Sequence, residues 1–176
     1  MFPFAYSKYP IAKELDNFTG ELSPYDTVNA IEGIWIEIDQ TTLTPSGAEI
    51  ITHNTTERND LFRGLSYCIE KYRKGNWYTF APLPDITFGA PSLDIHIPTA
   101  SEIEAGFVDG LHYYSDSEFS WARYPPNRIG CKWEYDYGVL PSGDYRIIID
   151  LISYDDIPLT ENSPVYYLSA QFSIHS

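Results

Sequence analysis

The sequence predicts an all-β domain of antiparallel strands. Short segments of alternating apolar and polar residues recur through most of the 176 positions. Clusters of Gly, Pro, Asn and Ser separate them, and helical periodicity is scarce. Fifteen Tyr and nine Phe suit half-buried, pleated surfaces. A chain of this length fits one domain with a continuous apolar core, as a sandwich or a barrel.

The first residues, 1–27, carry Pro3, Pro10 and Pro24 without clean alternation, and are expected to form an arm packed on the domain or a partly ordered leader. The domain itself is expected over 28–176. In "GIWIEIDQ", Ile34, Ile36 and Ile38 share one face while Trp35, Glu37 and Asp39 share the other, as a half-buried strand requires. "TLTPSG" turns the chain into a second strand, Ala48 to Asn54. The polar "TTERND" leads to "LSYCIEKY", which crosses "RKGN" to "WYTF"; Gly75 is available for the positive φ of a hairpin turn.

Residues 82–126 form an insertion of different character. "ITFGAPSLDIHIP" holds a short strand candidate, and Ser101 with Glu104 has capping-box spacing before a short helix expected over about Ser101 to Leu111, weakened by Gly106 and Gly110. "HYYSDSEFSWARYPP" then concentrates aromatic and acidic residues in a composition suited to a surface loop. Toward the end, "DYRIIIDL" puts Tyr145, Ile147, Ile149 and Leu151 on one face. "VYYLSAQFSIH" does the same with Leu168, Ala170, Phe172 and Ile174, and the two strands are expected to pair.

Between them and the insertion, "YGVLPSGDYRI" stops the chain at Pro141, Ser142 and Gly143 and then enters a strand. Leu140, Gly143 and Tyr145 form the expected structural corner: Tyr145 buries its ring while its hydroxyl bonds nearby backbone, the arrangement of the tyrosine corner in Greek-key, Ig-like sandwiches. The same segment resembles the YG-x-L-P-x-G-x-Y-R-I signature of a bacterial Ig-like domain family. "IEKYRKGNWYTFAP" is similar to that family's hairpin segment, and "IEIDQTTLTPSGAEIITHNTT" to its first two strands. The resemblance covers residues 28–81 and 127–175 and implies an Ig-like antiparallel β-sandwich with Greek-key connections. It also implies a non-catalytic module of a secreted or envelope-attached protein. The insertion at 82–126 departs from it, because the family crosses there with a shorter connection.

Asp and Glu outnumber Lys and Arg by 25 to 11, and the formal charge of -14 repels phosphate backbones and anionic lipid surfaces, so no direct nucleic-acid partner is expected. Solubility is the ordinary use of such acidity; cation binding and imitation of nucleic acid are the sharper ones. No run approaches the roughly 18 apolar residues of a membrane helix, and "MFPFAYSKYP" lacks the basic and apolar regions of a signal peptide. With Met1 as the native start the chain is cytoplasmic; export would require a signal already removed. Asn17 and Asn54 match the short N-glycosylation pattern, which matters only in a eukaryotic secretory pathway.

Chemical motifs are sparse. His53, His96, His112 and His175 belong to no H-E-x-x-H, H-x-H or C-x-x-C arrangement. His96 and His112 with Asp94 and Asp109 are a weak metal candidate beside the plainer reading of a polar loop. No G-x-S-x-G elbow and no D-x-D-x-D-G loop occurs, and Asp155-Asp156 and Asp116/Glu118 read as solvated acids. Neither a cofactor nor a catalytic residue is therefore expected. By strand parity Cys68 faces outward and Cys131 the core, so two reduced thiols are expected, with an inter-sheet bridge as the alternative.

What remains is a binding surface. Tyr113, Tyr114, Phe119, Trp121 and Tyr124, with Phe107 nearby, offer contact area at low rotamer entropy to a protein partner, with carbohydrate as a further candidate. The plainer alternative is a satellite core that anchors the insertion. The expected function is a non-catalytic binding or structural module. Its alternatives are an acidic decoy that occupies a basic, nucleic-acid-binding partner and a carbohydrate-binding module.

Overall fold

The computed structural model describes residues 20–80, 82–83, 95–105, 127–153 and 165–175. In chain order they form β1 (Ile34–Ile38), β2 (Ala48–Asn54), β3 (Leu61–Arg73), β4 (Asn76–Thr79), β5 (Ile95–His96), α1 (Ala100–Glu104), β6 (Arg128–Cys131), α2 (Glu134–Tyr137), β7 (Gly143–Ser153) and β8 (Val165–Ile174). All strand pairings are antiparallel. One sheet has the order β1-β2-β6; the other has the order β4-β3-β7-β8, with β5 paired to β3.

Alternation decides the smaller sheet. β1 buries Ile34, Ile36 and Ile38 and leaves Trp35 and Glu37 outside. β2 buries every second residue from Ala48 to Asn54. Pairing Ile34 with Asn54 and Ile38 with Ile50 keeps both apolar rows on one face. The connecting turn is held by Asp39, whose carboxylate accepts from the backbone N–H (3.0 Å) and hydroxyl (2.6 Å) of Thr41. Gly47 closes the turn because a Cβ there would run into the carbonyl oxygen of Cys131 on β6.

The larger sheet centres on β3 and β7. β3 starts at Leu61, earlier than the alternation around Cys68 predicts, and ends in a two-residue turn in which Lys74 (φ 49°) and Gly75 (φ 88°) are both left-handed. That conformation matches the strand twist and brings Arg73 opposite Asn76. β7 and β8 pair continuously from Gly143 with Ile174 to Ile152 with Val165, as their shared alternation predicts. Tyr145, Ile147, Ile149 and Leu151 of β7 join Leu168, Ala170, Phe172 and Ile174 of β8 in one core with Ile34, Ile36 and Ile50 of the other sheet. Each fully buried Ile or Leu contributes about 1.5–3 kcal/mol of transfer free energy.

β7 is buried on its outer face too, where Arg146 and Ile148 are 7% and 2% exposed. The cover is the segment 20–29. It enters beside β4, where Leu22 bridges Tyr78 and Ser23 N–H donates to Trp77 O at 3.0 Å. It reaches β8 at Asn29, whose N–H donates to Tyr167 O at 2.8 Å. Beneath it Arg146 Nε donates to Glu70 Oε2 at 2.6 Å, Nη2 donates to Ser23 Oγ at 3.1 Å, and the guanidinium lies 4.7 Å from the Trp77 ring centre.

The turn into β7 carries a second set of constraints. Tyr145 is fully buried, and its hydroxyl donates to Pro141 O at 2.7 Å. Leu140 is buried and its N–H donates to Pro45 O. Gly143 has φ 156°, and a Cβ there would sit 3.1 Å from Lys71 Cε. Trp133, at the entry to α2, donates from Nε1 to Pro45 O at 2.9 Å and stacks on Phe172 with ring centres 5.0 Å apart.

Two expectations about the insertion need correction. The helix is the short α1, capped by Thr99 rather than Ser101. Thr99 Oγ1 accepts from Glu102 N–H, and the Glu102 carboxylate accepts from Thr99 N–H at 2.8 Å, a capping box two residues earlier than the one expected. Positions 106–111 of the expected helix lie outside the described residues. Nor is the insertion separate from the main core: β5 adds to the larger sheet at β3, and Ile97, 1% exposed, packs within the central cluster.

Removing the Tyr145 hydroxyl while keeping its ring leaves Pro141 O without its partner. Tyr145→Phe is expected to lower unfolding free energy by about 1–2 kcal/mol, read from the denaturation midpoint in urea. The ion pair behaves differently from a surface pair. Arg146→Met alone strands the Glu70 carboxylate in the sheet and is expected to cost about 3–5 kcal/mol, whereas the Glu70→Met, Arg146→Met double variant should recover much of that loss. A double-variant loss equal to the sum of the two single losses would show that the pair is not coupled.

Candidate functional site

The insertion leaves the larger sheet at its β3 edge, and the side chains gathered at its base are the most chemically unusual in the interior. They flank an irregularity of register. β3 and β7 pair from Leu61 to Arg63 and again from Tyr67 onward, with an irregularity between them. Arg63 pairs with Leu151 and Tyr67 with Ile149, so both side chains point to the core side of the sheet.

Arg63 is 4% exposed, and its Nη2 has no hydrogen-bond partner. Burial pulls its pKa down to about 10, opposed by Cys131 and Asp150. The hydroxyl of Tyr67 donates to Asp136 Oδ2 at 2.7 Å, and that of Tyr137 donates to Tyr67 O at 3.1 Å. Burial raises the pKa of both phenols. It also raises the Asp136 carboxyl, while the bond from Tyr67 pulls the other way. Leu83 N–H donates to Asp136 O at 2.7 Å, which ties the start of the insertion to α2.

The two cysteines are not activated. The Cys131 thiol is pushed up to about 12 by burial, with Arg63 acting against the shift. Cys68, on the outer face beside Tyr25, is also pushed up to about 12 by burial. Both cysteines are free thiols. Protonated at neutral pH, neither is an activated nucleophile. The hydrogen bonds instead pin the start of the insertion to α2 and, through Tyr67, to β3.

The far side of the base is equally well fixed. His96 Nε2 lies 3.1 Å from Glu102 Oε2, its ring sits 5.2 Å from that of Phe62, and Asn54 Nδ2 donates to Arg58 O and Ile97 O. The Glu102 carboxyl is held below its usual range, first by Thr99 N–H and then by His96. His96 is thus engaged by a carboxylate of the cap; its proposed companions His112, Asp94 and Asp109 lie outside the described residues. No group of three or more His, Cys, Asp or Glu among the described residues is arranged to hold a metal.

Of the expected binding residues, Tyr113, Tyr114, Phe119, Trp121 and Tyr124 all lie outside the described residues, as do Phe107, Asp116, Glu118, Asp155 and Asp156. The structure brings together a set that sequence reading missed: Arg63, Tyr67, Asp136 and Tyr137. Asp136 and Tyr137 belong to α2, a four-residue helix too short for a periodic signal. On the opposite surface, Trp35 stacks on His53 at 4.6 Å, and Arg128 bonds both Asp39 (2.7 Å) and Glu49 (3.0 Å). His53 Nε2 lies 3.4 Å from Glu37 Oε1 without a proper hydrogen bond.

Because folding raises the Asp136 pKa, ionised Asp136 costs stability. The cost is absent where both states are protonated and grows as pH rises from the unfolded carboxylate range through the folded value. Asp136→Asn keeps an acceptor for Tyr67 and removes the charge. Its melting temperature relative to the wild type is expected to be more favourable at about pH 7.5 than at about pH 4. A pH-independent difference would contradict a buried, partly desolvated carboxylate. No family model, curated protein or solved structure matches the chain.

Proposed function

We propose that the chain is a non-catalytic, Ig-like β-sandwich module that binds a protein partner through residues 106–126 of the insertion. The fold reading is supported by strand order. Taken as A, B, C, C′, E, F and G, the strands β1, β2, β3, β4, β6, β7 and β8 fall into the orders A-B-E and C′-C-F-G. These are orders of the Ig sandwich, and Tyr145 then stands near the start of F with its hydroxyl on upstream backbone. No helix among the described residues is long and apolar enough to cross a membrane.

The observation that carries the binding reading is how the loop is mounted. Residue 105 follows α1, which the Thr99–Glu102 box and Ile97 fasten to the larger sheet. Residue 127 precedes β6, which pairs with β2 of the smaller sheet, and Asn127 O accepts from Thr52 N–H at 2.8 Å. The aromatic and acidic residues between these ends are therefore held by a rigid base on each sheet, the usual way a scaffold presents a recognition loop. The hydrogen bonds at that base stiffen it.

The test keeps 95–105, since Ile97 belongs to the core, and replaces 106–126 by a Gly/Ser linker. The shortened protein is expected to fold with native amide dispersion, because loop length adds weakly to closure entropy. Affinity capture with the full chain and the shortened one, at about 0.05 M and about 0.5 M salt, reads the function. Partners held by the full chain alone and retained at high salt support the aromatic loop. Partners lost at high salt and indifferent to the loop favour the acidic-decoy alternative.

A further inference from the structure

The outward face of the smaller sheet carries an aromatic ring and a carboxylate side by side. Trp35 and Glu37 both point outward from β1, about 7 Å apart at the ordinary strand rise. Trp35 lays one face of its indole on the His53 ring, with centres 4.6 Å apart and planes 9° from parallel, yet stays 39% exposed. His53 joins the two residues: its Nε2 lies 3.4 Å from Glu37 Oε1 without a hydrogen bond, and the Glu37 side chain remains 52% exposed. The carboxylate is thus held beside the stacked rings with its oxygens open to a donor.

The chain already shows what completes such a pair. On the larger sheet the Arg146 guanidinium lies 4.7 Å from the Trp77 ring centre and donates to Glu70 Oε2 at 2.6 Å. One planar cation there serves an indole and a carboxylate together. Trp35 and Glu37 offer the same two groups without that cation. Among the described residues the cation on their face is Arg128, which stands across Ile51 from Glu37 and is held by Asp39 at 2.7 Å and Glu49 at 3.0 Å.

We propose that Trp35 and Glu37 form a binding site for an arginine side chain of a basic partner protein, its guanidinium lying against the exposed part of the indole and donating to the carboxylate. Charge favours this occupant. The outward positions of β1, β2 and β6, with Asp39 just after β1, carry the carboxylates of Glu37, Asp39 and Glu49 against the guanidinium of Arg128 alone, on a chain of formal charge -14. Geometry favours arginine over lysine, because the planar fork stacks and bonds at once, whereas an ammonium is a compact, strongly hydrated point charge. His53 backs the indole on its other face and so fixes the orientation of the ring.

The site uses none of residues 106–126, so the shortened chain tests it apart from the proposed function. The probes are end-blocked peptides of alternating Gly and Arg, Gly and Lys, or Gly and Glu, and a neutral glucose oligomer, each titrated into both proteins by NMR at about 0.05 M salt. The Arg peptide is expected to shift the Trp35 indole N–H and the Glu37 amide in both proteins. The Lys peptide should bind about threefold more weakly, and the Glu peptide and the sugar should give no response. Trp35→Ala is expected to weaken the Arg peptide about tenfold, and Trp35→Leu, which keeps apolar bulk, serves if the alanine variant does not fold. Glu37→Gln should weaken it several-fold, whereas Glu49→Gln, which removes the same charge from the same face, should weaken it less. Equal binding of the Arg and Lys peptides, equal effects of the two Glu→Gln changes, or Trp35 variants that bind normally would overturn the proposal, since diffuse charge would then account for the attraction. So would shifts at Trp35 from the sugar alone, or concentration-dependent shifts there without any probe, since the occupant would then be a saccharide or a second copy.

Discussion

The burial of one guanidinium organises the larger sheet. Arg146 stands on the outer face of β7, where it bonds Glu70 of β3 and Ser23 of the crossing segment and lies against Trp77 of β4. A charge in that position is tolerated only if it is paired and its hydrogen bonds are filled, because desolvation costs several kcal/mol. The requirement forces the segment 20–29 across the sheet. That crossing in turn covers Ile148, delivers Asn29 to β8 and leads the chain into β1. Both faces of β7 become interior, so the strand reads as an almost unbroken β-branched run from Ile147 to Ile149.

The interior is not uniformly apolar. At the corner end, Tyr145, Phe172 and Trp133 stack in sequence, with ring centres 5.6 and 5.0 Å apart, and the polar atoms of the tyrosine and tryptophan are both satisfied by backbone carbonyls. Such contacts add about 0.5–1.5 kcal/mol each beyond area burial. At the insertion end, Arg63 and Tyr67 share the inward face of β3 with Leu61 and Ile69, and the Tyr67 hydroxyl finds its acceptor in Asp136. A register fault is costly in a sheet of this kind. Just before the irregularity between Arg63 and Tyr67, β5 pairs with β3 at Phe62 and Arg63, and Ile97 enters the core.

This division gives the two ends of the domain different roles. The corner end supplies stability, with a buried aromatic column and a glycine-dependent turn. The insertion end ties residues 82–83 and 95–105 to α2 and β3, and burial raises both its Cys131 thiol and its Asp136 carboxyl. Along β8, Asn29 bonds the outward main chain of Tyr167 and Ser169. The chain then enters β1, which lies beside β8 and pairs with β2.

Much of the strand framework was legible in the sequence, because a period of two is a local property and each apolar row had to face a core. β1, β2, β7 and β8 follow their alternation residue by residue, and Gly75 marks its turn because few other residues adopt that backbone. Cys68 and Cys131 could be assigned opposite faces by parity alone, and both are free thiols. What tertiary structure alone decided is everything that depends on distant segments meeting. Parity places Glu70 and Arg146 on a face that alternation reads as solvent, and only the return of Ser23, far earlier in the chain, makes that face interior. The same holds for Arg63, whose inward turn needs the β7 register, and for Ile97, whose place in the core needs the β3 edge. Thr99 rather than Ser101 caps α1 because β5 holds the preceding residues extended against β3, so the helix begins as soon as that pairing ends. Local pattern determined which residues could be strands; the desolvation of a few charged and polar groups determined how the strands were covered.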